Sequence, residues 1–513
     1  METMKRLCVA AMLLVTACIG AKAQETANIT ATDAKSLQLA LRQAREWRRT
    51  GDPRCKNGIS ITLKAGRYYM EEPLFLRPED SGTKASPTII RGEKGAVVCG
   101  NPRQQHTQLW PKEGMARMLN FDTQKRTITI PTPPKEVLER IPTAEQPDQL
   151  FEMVVHQRWA VAILRIKSFA VRGDSTVVSF MEPESRLEFE HPWPQPVIGG
   201  ERGNSSFLLR TTELRDGIEQ LVIVDGANHV RFQGLTFEHT CWNRPLHKGH
   251  VTLQGGFPLV DAYKLKENPG LPWDEGLENQ AWIERPVSAV TVRNAREVDF
   301  SDCRFLHLGA TALDYESIDD GTITDCTFED IGGTAIMAGS FAESPREVHR
   351  PYSDLANQCR ELNIIKNTIH DAANEDWGAV AISCGYVREC TIWENTVSHV
   401  NYSGICIGWG WTPHDTGMTG NIIEGNTVSD YARQLYDAGG IYTLSNQPGS
   451  RITDNQISQP FPAPYATNNR AFCIYLDART DGFTLSGNTT EGRPIRRDEI
   501  GDNHPGPNLI FKQ

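Results

Sequence analysis

The sequence predicts an all-β chain wound as a right-handed parallel β-helix, with an N-terminal capping helix and a β-rich insertion. Three observations predict it. First, a hexapeptide recurs: FQGLTF at 232–237, FSDCRF at 300–305, ITDCTF at 323–328, IIKNTI at 364–369, IWENTV at 392–397, IEGNTV at 423–428, ITDNQI at 452–457 and LSGNTT at 485–490. Its fourth position reads Leu235, Cys303, Cys326, Asn367, Asn395, Asn426, Asn455 and Asn488, at intervals of 23, 41, 28, 31, 29 and 33 residues from Cys303 onward. Second, each unit alternates apolar and polar residues with period two and carries no helical stripe, so each repeat is strand and turn. A short β-type unit recurring at this period marks a solenoid. Third, a companion strand accompanies the units: ATALDYE (310–316), GTAIMAG (333–339), GAVAISC (378–384), SGICIGWGW (403–411), GGIYTLS (439–445) and AFCIYLD (471–477).

From the start of the chain, Lys5 and Arg6 precede an apolar run from Leu7 to Gly20, and Ala21-Lys22-Ala23 offers a small-x-small cleavage site. Residues 1–23 therefore read as a secretory signal, with a lipoprotein-type alternative at Cys18, so the expectation is a periplasmic, secreted or lipid-anchored protein. Residues 24–100 form the cap and first coils. Within them, Leu37, Ala40, Leu41, Ala44 and Trp47 share one helical face, which would plug the open end of the solenoid. From 101 to 215 the repeat vanishes, and segments such as LFEMVVHQRWAVAIL and STVVSF alternate like antiparallel strands of an accessory insertion. The solenoid resumes over 216–495, with an irregular stretch at about 240–285 expected to fold over the groove, and 496–513 form a tail or cap.

A solenoid absorbs all 513 residues as one body. A formal charge of −11 argues against a broad basic face and so against nucleic acid as partner. No later segment is apolar for long enough to span a bilayer. The twelve cysteines show no metal-type spacing, so neither a metal nor a cofactor is expected, and those outside the signal read as unpaired core residues. Oligomeric state leaves no mark in the sequence.

Aligned on their apolar positions, the companion strands give an inward column of Leu313, Ile336, Val380, Ile405, Ile441 and Ile474. The next residues, Asp314, Met337, Ala381, Cys406, Tyr442 and Tyr475, point outward, as do Glu316, Gly339, Ser383, Gly408, Leu444 and Asp477 two places on. A functionless solvent face would be rich in Lys, Glu, Thr and Ser. This one holds small residues, tyrosines and isolated acids, with Trp409 and Trp411 close by. Sugars present C–H faces to aromatic rings and hydroxyls to acids, so the face reads as a carbohydrate groove. Glycosidic cleavage needs two carboxyl groups. Asp437, opening DAGGIYTL, and Asp477, closing IYLD, flank the tyrosine-bearing strands and are the expected catalytic pair. Tyr442, Tyr475, Trp409, Trp411, Trp377, Asp376, His349, His399, Gln447, Asp314 and Glu316 complete the expected substrate contacts. The ladder asparagines are expected to be structural.

Through YSGICIGWGW, LYDAGGIYTLSNQPGS and AFCIYLD, the sequence resembles glycoside hydrolase family 141. The likeness extends over about 215–490, through FQGLTFEH, GHVTLQGG and GGTAIMAG, and includes ITLKAGRYYMEEPLFLRPEDSGT and NSSFLLR. The resemblance implies an exported bacterial parallel β-helix protein from a family with α-L-fucosidase activity on pectin side chains and xylanase activity in another member. It maps the catalytic pair to Asp437 and Asp477. Two features depart from it: a shorter segment between NSSFLLR and LVIVDG, and Ala478-Arg479 where relatives often carry Glu after the second acid. The expected function is an exo-acting glycosidase on plant cell-wall polysaccharide. A β-eliminating lyase on uronic-acid polymers and a non-catalytic carbohydrate-binding protein are the alternatives.

Overall fold

The computed structural model describes residues 26–140, 149–190, 206–261, 282–343, 346–347, 358–411, 415–462, 470–492, 495–497 and 510–511. The proposed signal with Cys18, and His349, lie outside these residues. The protein is a parallel β-helix. One ten-stranded parallel sheet forms a wall, and a 21-stranded sheet, also paired in parallel, supplies the others. Phe232, Phe300, Phe305 and Phe328 line the interior, with Phe232 stacked on Phe300 at 4.6 Å and Phe305 on Phe328 at 4.5 Å.

Helix α1 (Ala34–Thr50) closes the N-terminal end. Asp33 caps it by accepting the Ser36 N–H, and Gly51 at φ 66° ends it in the left-handed conformation open to glycine. Its buried face is Leu37, Ala40, Leu41 and Ala44, which join the core, and Trp47 packs against that core half-buried. The strand Ala27–Ala31 pairs in parallel with Ile59–Leu63, so the first coil is covered rather than left as a free edge.

The hexapeptide is a corner. Its third residue (Gly234, Asp302, Asp325, Lys366, Glu394, Gly425, Asp454 or Gly487) has φ between 52° and 68°, and this single left-handed residue turns the chain from one wall to the next. The fourth residue then points into the core. Each ladder asparagine accepts a backbone N–H from the preceding coil through Oδ1: Cys326 to Asn367 (3.0 Å), Asn367 to Asn395 (2.9 Å), Asn395 to Asn426 (3.0 Å), Asn426 to Asn455 (2.9 Å) and Asn455 to Asn488 (3.1 Å). The side-chain amides donate to preceding-coil carbonyls, Asn395 to Ile364 and Asn426 to Ile392, both at 2.9 Å. Buried backbone groups that the turn would strand are satisfied in this way. Cys303 and Cys326 take the ladder position in earlier coils, and no disulfide joins the ten described cysteines.

Strands between His106 and Glu213 leave the helix as an antiparallel sheet, ordered 106–110, 206–213, 149–156, 161–172, 175–180, 127–131 and 120–122. The short strand His250–Val251 joins this sheet beside Ala162–Ile163. A half-buried ionic knot ties the sheet to the coils. Glu375 lies 2.9 Å from His106 Nε2 and 3.9 Å from Arg210 and Arg103, and Arg103 also pairs with Asp330 at 2.6 Å. Burial pushes the Glu375 carboxyl up, but His106, Arg210 and Arg103 outweigh it and hold the group down at about 2.

Replacing Asn395 by Ala strands the Asn367 N–H and the Ile364 carbonyl. Urea denaturation should show a loss of about 2–4 kcal/mol, and a change below about 0.5 kcal/mol would contradict the ladder's role. Because the folded Glu375 value is depressed, its contribution is present above the unfolded value of about 4.3 and fades as pH falls toward 2. Glu375→Gln should therefore cost about 3 kcal/mol at neutral pH and much less near pH 2, measured by unfolding across that range.

Candidate active site

Strand pairings fix the column that faces inward. They run from Leu313 to Ile336, Ile382, Ile405, Ile441 and Ile474. Val380, expected in this column, lies two residues ahead of it. The turn before it, where the Ala379 N–H donates to the Asp376 carbonyl at 3.0 Å, takes up two extra residues. The outward neighbours are therefore Asp314, Met337, Ser383, Cys406, Tyr442 and Tyr475, with Ser383 where Ala381 was expected.

Much of this face is roofed. Met337, Phe341 and Trp409 belong to one apolar cluster with Phe257 and with Phe207 and Leu209 of the insertion. Trp409 is 4% exposed and touches Phe257 and Phe341, each at 5.2 Å between ring centroids, while half-buried Trp411 meets it edge-on at 5.1 Å. The small residues Gly339 and Gly408 leave no open groove: a Cβ on Gly408 would lie 2.2 Å from the Leu444 carbonyl oxygen, and one on Gly339 2.6 Å from Val387. Gln447 is fully buried, donating to the carbonyls of Ile407 and Leu444 and accepting from Asn421. Asp314 is 2% exposed and clamped by Arg285 at 2.7 and 2.5 Å, with half-buried Glu316 two residues on.

Further along, the face carries Asp437, Tyr442, Tyr475 and Asp477. The Tyr442 hydroxyl donates to Asp477 Oδ2 on the next coil, and the Tyr475 hydroxyl donates to Asp437 Oδ1 on the previous coil at 3.1 Å. The two rings meet edge-to-face at 5.3 Å; Tyr475, expected to touch substrate, is only 1% exposed because its ring packs against Tyr442 and Phe472, and Tyr442 is half-buried. Each carboxylate is thus held by the tyrosine of the neighbouring coil. Asp437 sits at φ 68°, a strained conformation for a non-glycine residue, and its carbonyl accepts the Tyr402 hydroxyl at 3.0 Å. Burial, then the charges of Asp437 and Asp477, raise the Tyr402 phenol well above its usual range, so it remains a donor. Burial and Asp477 do the same for Tyr442.

Arg470 adds a charge that the sequence reading missed. Its guanidinium lies 3.3 Å from Asp437 Oδ1 and donates to the Tyr475 hydroxyl at 2.7 Å. The signal was available: Arg470 stands four residues before Ile474, as Asp437 stands four before Ile441. The insertion also reaches this place. The Tyr436 N–H donates to the Arg158 carbonyl at 3.1 Å, and His156 Nε2 contacts the Gln434 carbonyl at 2.8 Å. Burial lowers His156 to about 4, so its ring is neutral at ordinary pH and donates this bond.

Other expected contacts lie elsewhere. His399 sits on the ten-stranded wall, near Asp430 (3.1 Å) and Asp371 (3.6 Å). Asp376 is buried against His250 Nε2 at 2.9 Å, in the wall of a cavity of about 250 Å³ that includes neither Asp437 nor Asp477; Trp377 packs half-buried on the core. This cavity and the paired acids are thus distinct places. The acids are the better candidate for chemistry, because bond cleavage in a saccharide needs two carboxyl groups and general acid–base reach.

A parallel β-helix with paired acids and tyrosines on one face has the equipment of a carbohydrate-cleaving enzyme, and similarity to known proteins agrees. A solved glycoside hydrolase superposes with a TM-score of 0.84 at 33% identity, the match covering 95% of this chain and 96% of the other. The protein is a glycosidase. Residues 102–218 match the family model of the GH141 insertion domain, and the chain belongs to the glycoside hydrolases as a GH141-like protein. More remote structures include an alginate lyase from Paenibacillus sp. strain FPU-7 (11% identity, 91% and 97% covered, TM-score 0.34). A GH136 lacto-N-biosidase from Eubacterium ramulus is similarly distant (8%, 95% and 67%, 0.36). No curated protein matches the chain.

Trp409→Ala should behave as a core truncation, lowering stability by about 3–5 kcal/mol in denaturant unfolding. Unchanged stability combined with lost substrate affinity would instead make Trp409 a groove residue.

Proposed function

We propose that this glycosidase is exported and removes a terminal sugar, α-L-fucose being the leading candidate, from the side chains of pectic polysaccharide. Asp437 and Asp477 serve as the two catalytic carboxyl groups. The crossed pairing of Tyr442 with Asp477 and Tyr475 with Asp437 carries the reading, because it holds the two acids in two hydrogen-bonded pairs whose rings touch, on an otherwise roofed face. Resemblance to family members with α-L-fucosidase activity supports the sugar.

In this reading one carboxyl group protonates the departing glycosidic oxygen, and the other attacks the anomeric carbon or activates water against it. The tyrosines fix the carboxylate orientations before substrate arrives, which limits the reorganisation needed during reaction. Tyr475 is buried beneath Tyr442, so the half-buried Tyr442 ring is the one that offers an aromatic surface for the sugar's C–H groups. Arg470 orients Asp437 and Tyr475 together and is a positioning residue.

Incubating the protein with pectin and hemicellulose oligosaccharides should release a free monosaccharide, seen by chromatography. Asp437→Asn and Asp477→Asn should each lower kcat by about 10³-fold or more while leaving the unfolding midpoint nearly unchanged. Undiminished hydrolysis by either variant would refute the assignment. An unsaturated, ultraviolet-absorbing product would show a lyase. Tyr475→Phe should lower kcat by about 10–100-fold. Azide rescue of Asp437→Ala or Asp477→Ala would separate the acid from its partner.

A further inference from the structure

The insertion buries a carboxyl group to which no cation is supplied. Two glutamates one turn apart lie in the short helix Glu184–Glu190, Glu184 at 0% and Glu188 at 1% exposure. Glu184 has the partner that a buried carboxylate needs, because Arg165 donates to it through Nε at 2.7 Å and Nη2 at 2.8 Å. Glu188 has only a neutral one. The Gln157 carboxamide donates to its Oε1 through Nε2 at 2.6 Å, and no cation comes within ion-pair reach among the described residues.

The charged side chains on this helix and on the elements packed around it are engaged elsewhere or exposed. Arg165 holds Glu184, Arg186 holds Asp261, Arg126 holds Glu190, and His250 meets Asp376. On the strand before Gln157, Glu152 holds Arg210 and His156 faces the Gln434 carbonyl. Lys167 and Arg172 are exposed. Burial without a cation pushes the Glu188 carboxyl well above the usual carboxylate range. Two atoms of the pair agree with this. Glu188 Oε2 and Gln157 Oε1 are both buried with no hydrogen-bond partner. An ionised carboxylate leaves them so, because both are then acceptors. One proton on Oε2 satisfies the two together: the O–H donates to Gln157 Oε1 while Gln157 Nε2 donates to Glu188 Oε1.

What this pair holds is the edge of the acid site. Gln157 opens the turn Gln157–Ala160, and its N–H donates to the Ala160 carbonyl at 3.0 Å. Its two chain neighbours reach the solenoid. His156 Nε2 bonds the Gln434 carbonyl at 2.8 Å, and the Arg158 carbonyl accepts the Tyr436 N–H at 3.1 Å, one residue before Asp437. Asp437 sits at φ 68°, a conformation that persists only where its surroundings fix it. We infer that Glu188, kept as the neutral acid, is a positioning residue for the acid site: its reciprocal pair with Gln157 fixes the turn against which Tyr436 and Asp437 are seated. The functional part of this inference rests on Asp437 as a catalytic carboxyl group; the pair itself does not.

Because the folded carboxyl lies above its unfolded value of about 4.3, its stabilising contribution is present at low pH and is lost as pH rises toward the folded value. Glu188→Gln replaces the acid–amide pair by an amide–amide pair that needs no proton. Urea unfolding of the unaltered protein and Glu188→Gln is compared from about pH 5 to about pH 8. While Glu188 stays protonated, the unaltered protein's folding constant should fall relative to the variant's by about tenfold per pH unit. Parallel curves would overturn the pair. In the infrared difference spectrum of the two proteins at neutral pH, the unaltered protein should show the carbonyl stretch of a protonated carboxyl group, and a carboxylate stretch in its place would also overturn it. Glu188→Ala should lower kcat by about tenfold with KM little changed, and Glu188→Gln should restore it and extend activity to higher pH. Equal kcat and one shared pH profile in all the variants would overturn the positioning role. Should Glu188→Ala fail to fold, the profile of Glu188→Gln against the unaltered protein decides alone. Undiminished hydrolysis by Asp437→Asn, with the urea and infrared results as expected, would refute the acid pair and leave the Glu188–Gln157 pair in place.

Discussion

Everything that this protein presents to a saccharide depends on the register between successive coils. Parallel pairing sets Ile441 beside Ile474 and therefore Tyr442 beside Tyr475. A slip of one residue would turn the tyrosines inward and the isoleucines out. The register is fastened at the corners, where one left-handed residue precedes a buried asparagine that bonds to the coil before it. Lys366 and Glu394 take the left-handed conformation although neither favours it, at φ 55° and 52°. The fully bonded asparagine after each of them compensates for that strain.

The same stacking explains why the outward face divides into two parts. Where the insertion and the 240–261 segment lie over the coils, apolar side chains such as Met337 and Trp409 meet apolar partners and become core. Where polar tyrosines face acids on the adjoining coil, hydrogen bonding replaces apolar cover. The Glu375 knot and the Arg158 and His156 contacts fix the insertion's position, so the roof also shapes the edge of the acid site.

Much of this was legible in the chain. Period-two alternation and the ladder residue announce the coil corners, and the apolar face of α1 announces a cap. Asp437, Tyr442, Tyr475 and Asp477 fall together because one strand alignment relates them. The slip at Val380 arose because apolar residues at 380 and 382 are equivalent in pattern, and only the two extra turn residues after Asp376 distinguish them. Trp409 misled for a different reason. An aromatic ring on an outward position reads alike whether solvent or another segment covers it, and the cover comes from remote residues, Phe341 and Phe257. Pairings across such distances, His250 with Asp376 or His106 with Glu375, leave no local signature.

The central claim is that two carboxyl groups from successive coils work on one glycosidic bond. The most direct measurement is a crystal structure of the Asp437→Asn/Asp477→Asn protein with an uncleaved oligosaccharide substrate. The account predicts the scissile linkage between residues 437 and 477, with the terminal sugar against the Tyr442 ring. A linkage lying out of hydrogen-bond reach of both residues, for example at Asp376 and Glu219, would contradict it.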